Sequence, residues 1–146
     1  MSDFSIRAAG PDDREWISKM FRTHRDLAGA FYWSWQSYLK CPERHKWLLA
    51  CHTDSIPVGT IHFFWSPRKK AWCIAELMVL DGWRRHGIGK LLLAQVPAPM
   101  VLTTNDDNVD SNAFYTALGF SRDGVTTTRK GRALNIYRKD AHAVVG

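Results

Sequence analysis

Hydrophobic and polar positions in the first third of the chain follow strand and helix periods in turn. Phe4–Ala8 alternates apolar and polar residues, as a short strand does. Pro11-Asp12-Asp13 then opens a predicted helix, because proline suits the first turn and carboxylates suit the positive end of the helix dipole. A second helical or irregular stretch, Leu27–Leu39, is dense in aromatic residues, and Pro42 ends it.

The rest of the chain alternates strand-like and helix-like segments. The segments are three strand runs (Lys46–His52, Pro57–Trp65 and Ala71–Leu80), a helix (Gly87–Val96), a strand (Met100–Thr104), a helix (Asn108–Leu118) and a hairpin within Val125–Tyr137. The short connections between the first three runs predict an antiparallel meander. The central strand pair must be parallel, because helices intervene. The order predicts an α/β fold with a mixed sheet of about six or seven strands, about four helices, an antiparallel first half and one parallel strand pair.

Length and composition narrow the class of protein. A chain of 146 residues with 45% hydrophobic and 23% charged residues is typical of one soluble globular domain, here expected to span residues 1–146. No run approaches the roughly 20 apolar residues that cross a bilayer. The start carries no secretory signal, so we expect a cytoplasmic protein without a membrane partner. The net charge of +6 favours anionic ligands such as phosphates, nucleic acid or an acidic cofactor.

The cysteines and histidines do not predict a metal site. Three cysteines without a Cys-x-x-Cys pair fit reduced thiols better than a disulfide framework. Cys41, Cys51 and His52 miss the usual paired zinc spacing. In a strand, Cys51 and His52 would also point to opposite faces. We therefore expect no metal ligands.

The loop after the third strand run carries the most informative pattern. Arg84 and Arg85 precede Gly87 and Gly89, which open a helix. Glycines allow a close backbone approach, and the unpaired N–H groups at a helix start favour a phosphate. Lys90 adds a further fixed positive charge. The segment therefore predicts an anion-binding loop, although it is neither a Walker A loop nor a dinucleotide fingerprint.

Two motifs resemble those of one enzyme family. Arg84-Arg85-His86-Gly87-Ile88-Gly89 is similar to the acyl-CoA signature Arg/Gln-x-x-Gly-x-Gly/Ala of the GNAT family of N-acetyltransferases. Asn108–Phe120 resembles the second motif of that family, a helix with Asn and Tyr seven positions apart that ends in Leu-Gly-Phe. The element order also looks like the GNAT fold, so the resemblance covers nearly the whole chain. It implies direct transfer of an acetyl group from acetyl-CoA to an amine acceptor, with the parallel strand pair at the cofactor cleft.

The resemblance also implies where acetyl-CoA binds. Its pyrophosphate would contact the N–H groups of His86–Lys90, and its pantetheine arm would pair with the backbone of Met78–Leu80 as an added strand. An N–H group near Val79 or Leu80 would polarise the thioester carbonyl. The implied cofactor-binding residues are Met78, Val79, Leu80, Arg84, Arg85, His86, Gly87, Ile88, Gly89, Lys90, Asn108 and Tyr115.

The second motif places two polar side chains on one helical stripe. At 100° per residue, Asn108 and Tyr115 can reach one ligand, while Phe114, Ala117 and Leu118 form an apolar stripe expected to face the core. The resemblance implies that Tyr115 donates a proton to the leaving thiolate, or only a hydrogen bond, since a thiol titrates near 8.5 and a phenol near 10. The alternative is that Asn108 caps the helix and Tyr115 packs against the sheet.

Glu76 is the candidate general base. It alternates with Ile74 and Met78 on one strand face, where a charge needs a reason. An amine must be neutral to attack, so Glu76 would take its proton. A buried ion pair is the equal alternative, and His62 on the adjacent strand or a water relay could replace Glu76 as base.

The identity of the acceptor stays open at this stage. Candidate acceptor contacts are the aromatic residues Phe31, Tyr32, Trp33 and Trp35, together with His62; core packing is the competing role for the aromatic residues. Basic residues in the last hairpin, Arg129, Lys130 and Arg132, leave a second hypothesis. It is a nucleic-acid-directed member of the family that acetylates charged tRNA or binds RNA. A homodimer is also possible.

Overall fold

The computed structural model describes residues 3–24, 30–53 and 56–141. Its strands are β1 (Ser5–Ala8), β2 (His45–His52), β3 (Ile56–Ser66), β4 (Ala71–Val79), β5 (Met100–Asn105), β6 (Ser121–Thr127) and β7 (Ala133–Lys139). Its helices are α1 (Arg14–Thr23, preceded by a 3₁₀ turn at Pro11–Asp13), α2 (Phe31–Lys40), α3 (Ile88–Leu93) and α4 (Val109–Ala117). No helix in these ranges is long and apolar enough to cross a membrane.

The strands form one mixed sheet in the order β1-β2-β3-β4-β5-β7-β6. β4 and β5 run parallel, with Trp72 opposite Met100 and Cys73 opposite Val101. The pairs β1–β2, β2–β3, β5–β7 and β6–β7 are antiparallel. The parallel pair occurs where α3 connects two strands, as a crossover connection requires. The predicted mixed α/β fold with one parallel pair is therefore confirmed.

Several predicted boundaries differ from those of the structure. α3 is shorter than the predicted helix Gly87–Val96: Gly87 is its left-handed N-cap (φ +78°), and tighter turns carry the chain from Ala94 to Val96.

In α4, Tyr115 is buried and Ala117 is exposed, so the predicted apolar stripe of Phe114, Ala117 and Leu118 was wrong. Two predictions fall partly outside the described residues. They concern the start of the chain (residues 1–2) and the second helical stretch (residues 27–29).

The chain divides into two compact units. The first comprises Met1–Trp65 and Ile74–Val96, and the second comprises Ser66–Cys73 and Pro97–Gly146. The core of the first unit is largely aromatic: Phe21, Phe31, Trp35 and Trp47 are buried and their rings are in mutual contact. α1 contributes its single apolar face to this core, as its helical spacing predicts.

Gly59 on β3 allows α3 to approach the sheet in the first unit. A Cβ atom at this position would lie 2.9 Å from Ile88 Cγ2, 3.2 Å from the Met78 carbonyl oxygen and 3.3 Å from Leu92 Cδ1. The first and third of these atoms belong to α3, and the second is backbone of β4. The missing side chain therefore fixes how closely the helix behind the glycine-rich loop packs against the strands.

Asn112 holds α4 in the second unit. Its Oδ1 accepts hydrogen bonds from Thr104 Oγ1 (2.8 Å), Asn135 Nδ2 (2.9 Å) and Tyr137 Oη (2.7 Å). Its Nδ2 donates to the carbonyl oxygens of Asn105 and Asn108, which fixes the orientation of the amide. One side chain thus joins α4 to β5 and β7.

We expect Gly59→Ala to destabilise the protein by about 1–3 kcal/mol, because the Met78 backbone cannot move aside for the new methyl group. Denaturant unfolding measures the change. Gly10→Ala is the matched control, since its Cβ would meet Asp13 Oδ2 only at 3.9 Å, and should stay within about 0.5 kcal/mol of wild type. Equal stabilities for the two variants would contradict the close approach.

We expect Asn112→Ala to cost about 3 kcal/mol of unfolding free energy, because it leaves three buried donors without their acceptor. Tyr137→Phe removes a single donor from the same oxygen and should cost about 1 kcal/mol. Thermal and denaturant unfolding of both variants test this ranking. A larger loss of unfolding free energy in Tyr137→Phe than in Asn112→Ala would contradict it.

Candidate active site

The glycine-rich loop after β4 depends on left-handed backbone conformations. Gly82, Arg85 and Gly87 have φ angles of +89°, +68° and +78°. Glycine adopts this region freely, whereas a residue such as Arg85 does so at a cost of about 1–2 kcal/mol. Three cations of this short segment, Arg84, Arg85 and Lys90, are exposed. Arg84 lies 3.4 Å from Asp81, and an exposed ion pair of this kind contributes little to folding stability.

An aromatic cluster anchors the same loop. The Trp83 ring lies 4.8 Å from that of His52, 5.9 Å from that of Phe4 and 5.5 Å from that of His86 (centroid distances). Trp83 N–H also donates to the Leu80 carbonyl at 3.0 Å. The loop is therefore fixed at its centre, although its cations are exposed.

The start of α3 has the features of a phosphate-binding site. The first intrahelical bond runs from Leu91 N–H to Gly87 O (2.9 Å), so the N–H groups of Ile88, Gly89 and Lys90 precede the helical ladder. Among the described residues, apart from Gly87 and its two chain neighbours, no heavy atom lies within 4 Å of the position that a Cβ of Gly87 would take. Open space, leading N–H groups and nearby cations together fit a phosphate group.

The end of β4 offers one backbone donor, since the other predicted donor is already engaged. Leu80 N–H donates to the Val58 carbonyl at 2.9 Å. Successive N–H groups of a strand point to opposite edges, so the N–H of Val79 points away from β3. Of the two predicted donors to a thioester carbonyl, Leu80 is therefore already engaged, which leaves Val79 as the candidate.

Glu76 lies on β4 with 6% of its surface exposed. Its Oε1 lies 3.2 Å from His62 Nδ1, and its Oε2 accepts from Ser34 Oγ at 3.3 Å. Ser34 comes from α2 and His62 from β3. Each carboxylate oxygen has two acceptor positions, so both oxygens keep capacity for a further proton or hydrogen bond.

His62 is fixed on both ring nitrogens and on one ring face. Its side chain is 2% exposed; Nε2 lies 3.0 Å from His45 Nδ1, and the ring stacks on Trp47 with centroids 4.4 Å apart and planes within 8°. Trp47 Nε1 donates to Thr60 Oγ1 at 2.8 Å, which holds the indole. Burial, followed by the neighbouring His62 and Arg44, lowers the pKa of His45 below its usual value of 6.5.

Sequence analysis missed Ser34 and His45. The register pairs His45 with Phe64 and Trp47 with His62, so His45 and His62 are diagonal neighbours on one face of the sheet. Alternation along β2 could have found His45 once that register was known. Among the described residues, no group of three or more His, Cys, Asp or Glu side chains could hold a metal ion.

The four aromatic residues of α2 that were predicted to contact the acceptor divide into two sets. Phe31 and Trp35 are buried in the core, with 9% and 2% exposed. Tyr32 and Trp33 are 60% and 74% exposed, and their rings contact each other edge to face at 6.1 Å. Only the second set is available to a ligand.

Asn108 and Tyr115 lie in the second unit. Asn108 caps α4, and its side chain accepts from Ser111 N–H at 3.1 Å, which is the capping role that the sequence left open. Tyr115 is buried against Phe120 and Tyr137, with ring centroids 5.4 and 6.3 Å away. This burial raises its pKa above the usual value of 10, so the phenol stays protonated at neutral pH.

Comparisons with known proteins agree with this geometry. A family model described as the acetyltransferase (GNAT) family matches residues 13–120. No curated protein matches the chain. Among solved structures, Ard1 from Thermoplasma volcanium shares 17% sequence identity, with 97% of this chain and 100% of that chain covered and a TM-score of 0.81.

Two further solved structures are similar. The ribosomal-protein-S18-alanine N-acetyltransferase of Escherichia coli has 16% identity, 97% and 96% coverage of this chain and that chain, and a TM-score of 0.72. A Bacillus anthracis acetyltransferase in complex with acetyl coenzyme A has 19% identity, 66% and 63% coverage and a TM-score of 0.59. These identities establish the fold, whereas the family match covers well over half of the chain. The chain therefore belongs to the acetyltransferase (GNAT) family and is an acetyl-CoA-dependent N-acetyltransferase.

Proposed function

We propose that Glu76 is the general base of this acetyltransferase. The observation that carries the proposal is a buried carboxylate with a hydrogen-bond partner on each oxygen and acceptor capacity left on both. A primary amine is protonated at neutral pH and must lose a proton before it can attack. Glu76 takes that proton, directly or through one water molecule, and the neutral nitrogen then forms the new amide bond.

The surroundings of His62 favour Glu76 over His62 as the base. One His62 nitrogen faces Glu76, the other faces His45, and the ring lies flat on Trp47. No ring nitrogen is left for a substrate amine. His62 instead supports the carboxylate, so the two candidate bases become one base and its partner.

The first unit supplies the groups that hold acetyl-CoA, which brings an acetyl thioester as the group to be transferred. We infer that the N–H groups from His86 to Lys90, with the charges of Arg84 and Arg85, hold its pyrophosphate. Met78–Leu80 lines the pantetheine arm, and the N–H of Val79 stabilises negative charge on the carbonyl oxygen during attack.

Tyr115 acts as a hydrogen-bond donor to the sulfur leaving group. Because burial raises its pKa above 10, full proton transfer to a thiolate with a pKa near 8.5 is uphill. A protonated phenol can still stabilise the developing negative charge through a short O–H···S hydrogen bond. The assignment to this position rests on the motif in which Tyr115 follows Asn108 by seven residues.

We propose that Tyr32 and Trp33, rather than Phe31 and Trp35, contact the acceptor. They are exposed and follow one another directly before Ser34, which binds Glu76. Their rings suit an ammonium group or an apolar side chain near the amine. A first panel of acceptors contains peptides with N-terminal alanine, as the name of the Escherichia coli relative indicates, together with polyamines, aminoglycoside-type amines and aminoacyl-tRNA.

We expect Glu76→Gln to lower kcat by about 10²–10⁴-fold at neutral pH, because the variant cannot accept the amine proton. The loss should shrink as pH rises toward the pKa of the amine, where the free amine forms without help. Thiol release from acetyl-CoA, measured with the best acceptor of the panel, gives the rates.

Two controls accompany Glu76→Gln. Acetyl-CoA affinity, measured by calorimetry, should stay unchanged, since the base does not hold the cofactor. Glu15→Gln, an exposed carboxylate on α1, should keep wild-type rates. Full activity of Glu76→Gln at neutral pH would remove Glu76 from the reaction.

We expect Tyr115→Phe to lower kcat by about 10–100-fold, the effect of losing one hydrogen bond to a charged group. Since burial raises the pKa of Tyr115, the phenol should not ionise below about pH 10, and the wild-type rate should show no alkaline loss from this group. A pH profile of both proteins is the measurement. Wild-type turnover by Tyr115→Phe would exclude the role.

A further inference from the structure

Three side chains on adjacent strands form a linear hydrogen-bonded series. Glu76 Oε1 lies 3.2 Å from His62 Nδ1, and His62 Nε2 lies 3.0 Å from His45 Nδ1. The residues come from β4, β3 and β2, which are neighbours in the sheet. The series therefore runs from Glu76, the proposed base, through His62 to His45.

The positions of the protons in this series follow from the chemistry of Glu76. An ionised carboxylate can only accept, so the hydrogen in the first contact must be on His62 Nδ1. A neutral imidazole carries one hydrogen, which leaves His62 Nε2 as an acceptor. The second contact then needs a donor, and His45 Nδ1–H is that donor.

We propose that His45 is a positioning residue that fixes His62 in its Nδ1–H tautomer, and thereby keeps the Glu76 carboxylate ionised and ready to accept the amine proton. The proposal rests on the proposed role of Glu76 as general base. His45 itself contacts neither the carboxylate nor the reacting atoms in this arrangement.

The other tautomer of His62 would disable the base. With hydrogen on Nε2, the lone pair of Nδ1 would face the Glu76 carboxylate, and two acceptors would meet in a buried site. Binding a proton to the carboxyl group relieves this conflict, but a protonated carboxyl cannot act as a base. The donor on the far side of His62 therefore favours the tautomer in which the carboxylate on the near side stays ionised.

The surroundings of His45 suit this role. The His45 ring packs against both His62 and Phe64, with centroids 5.2 Å away in both cases, and its Nδ1 lies 3.0 Å from His62 Nε2. Burial lowers the pKa of His45, and the charges of Arg44 and Glu43 also act on it, in opposite directions. Facing Glu76 from α2, Ser34 contributes a neutral hydroxyl donor. His45 is thus a neutral donor near pH 7.

Two substitutions separate hydrogen bonding from packing. His45→Phe keeps an aromatic ring beside His62 and Phe64 but removes the donor. His45→Asn keeps an amide N–H close to the position of Nδ1 and gives up the ring. Circular dichroism and unfolding curves of both variants show whether each retains the fold.

Nitrogen NMR of the histidine rings in the full-length protein without substrate, at about pH 8, reads the tautomer directly. We expect His62 to carry hydrogen on Nδ1 in the wild-type protein and in His45→Asn, and to shift toward Nε2 in His45→Phe. Hydrogen on Nε2, or on both nitrogens, in the wild-type protein would overturn the proposal. An unchanged tautomer in His45→Phe would also overturn it.

The pH profile of kcat/KM gives the functional readout. In His45→Phe the acidic limb should move to higher pH by about one unit, so the rate at pH values below the limb falls by up to about tenfold and recovers at higher pH. His45→Asn should stay within about threefold of wild type, and KM for acetyl-CoA should not change in either variant. A uniform loss at all pH values would mean a merely structural role and would contradict the proposal.

These measurements separate the failure of this inference from failure of the proposed function. If Glu76→Gln retains full activity, Glu76 is not the base, and the NMR data still decide whether His45 sets the tautomer. If Glu76→Gln is inactive but the tautomer and the acidic limb are the same in His45→Phe and wild type, only the role of His45 is lost.

Discussion

The structure of the first unit depends on the burial of one carboxylate. A carboxylate that is 6% exposed needs hydrogen-bond donors, and Glu76 has His62 on one oxygen and Ser34 on the other. His62 in turn needs the flat face of Trp47, which Thr60 holds through the indole N–H. The aromatic core is therefore more than packing, since it also supports the ring that pairs with Glu76. Removing any support would leave a buried polar group without its partner.

α2 shows how one helix serves the core and the site at the same time. Phe31 and Trp35 lie one turn apart and face the aromatic core. Ser34 lies between them in sequence and reaches Glu76, whereas Tyr32 and Trp33 point outward. The density of aromatic residues in this segment thus results from two separate requirements on different faces of one helix.

The fold and the loop were predictable because both follow from local signals. Short connections predicted the antiparallel meander and an intervening helix predicted the central parallel pair, and the residues of the glycine-rich loop are consecutive in the sequence. The contact of His45 with His62 was not predictable, because it depends on the β2–β3 register, and a slip of one residue would turn His45 to the other face. The prediction of the buried face of α4 was also wrong. Asn112 fixes that helix through hydrogen bonds, which hydrophobic periodicity does not reveal.

The cations of the glycine-rich loop are exposed whereas Glu76 is buried, and this fits their proposed roles. Arg84, Arg85 and Lys90 are exposed, so they remain charged at little cost and can attract phosphate groups from solution. Glu76 is buried, so its charge is maintained by fixed donors rather than by water. The net charge of +6 therefore describes the exterior of this protein, whereas the proposed base is one of two buried carboxylates, Glu76 and Asp13, in the described part of the chain.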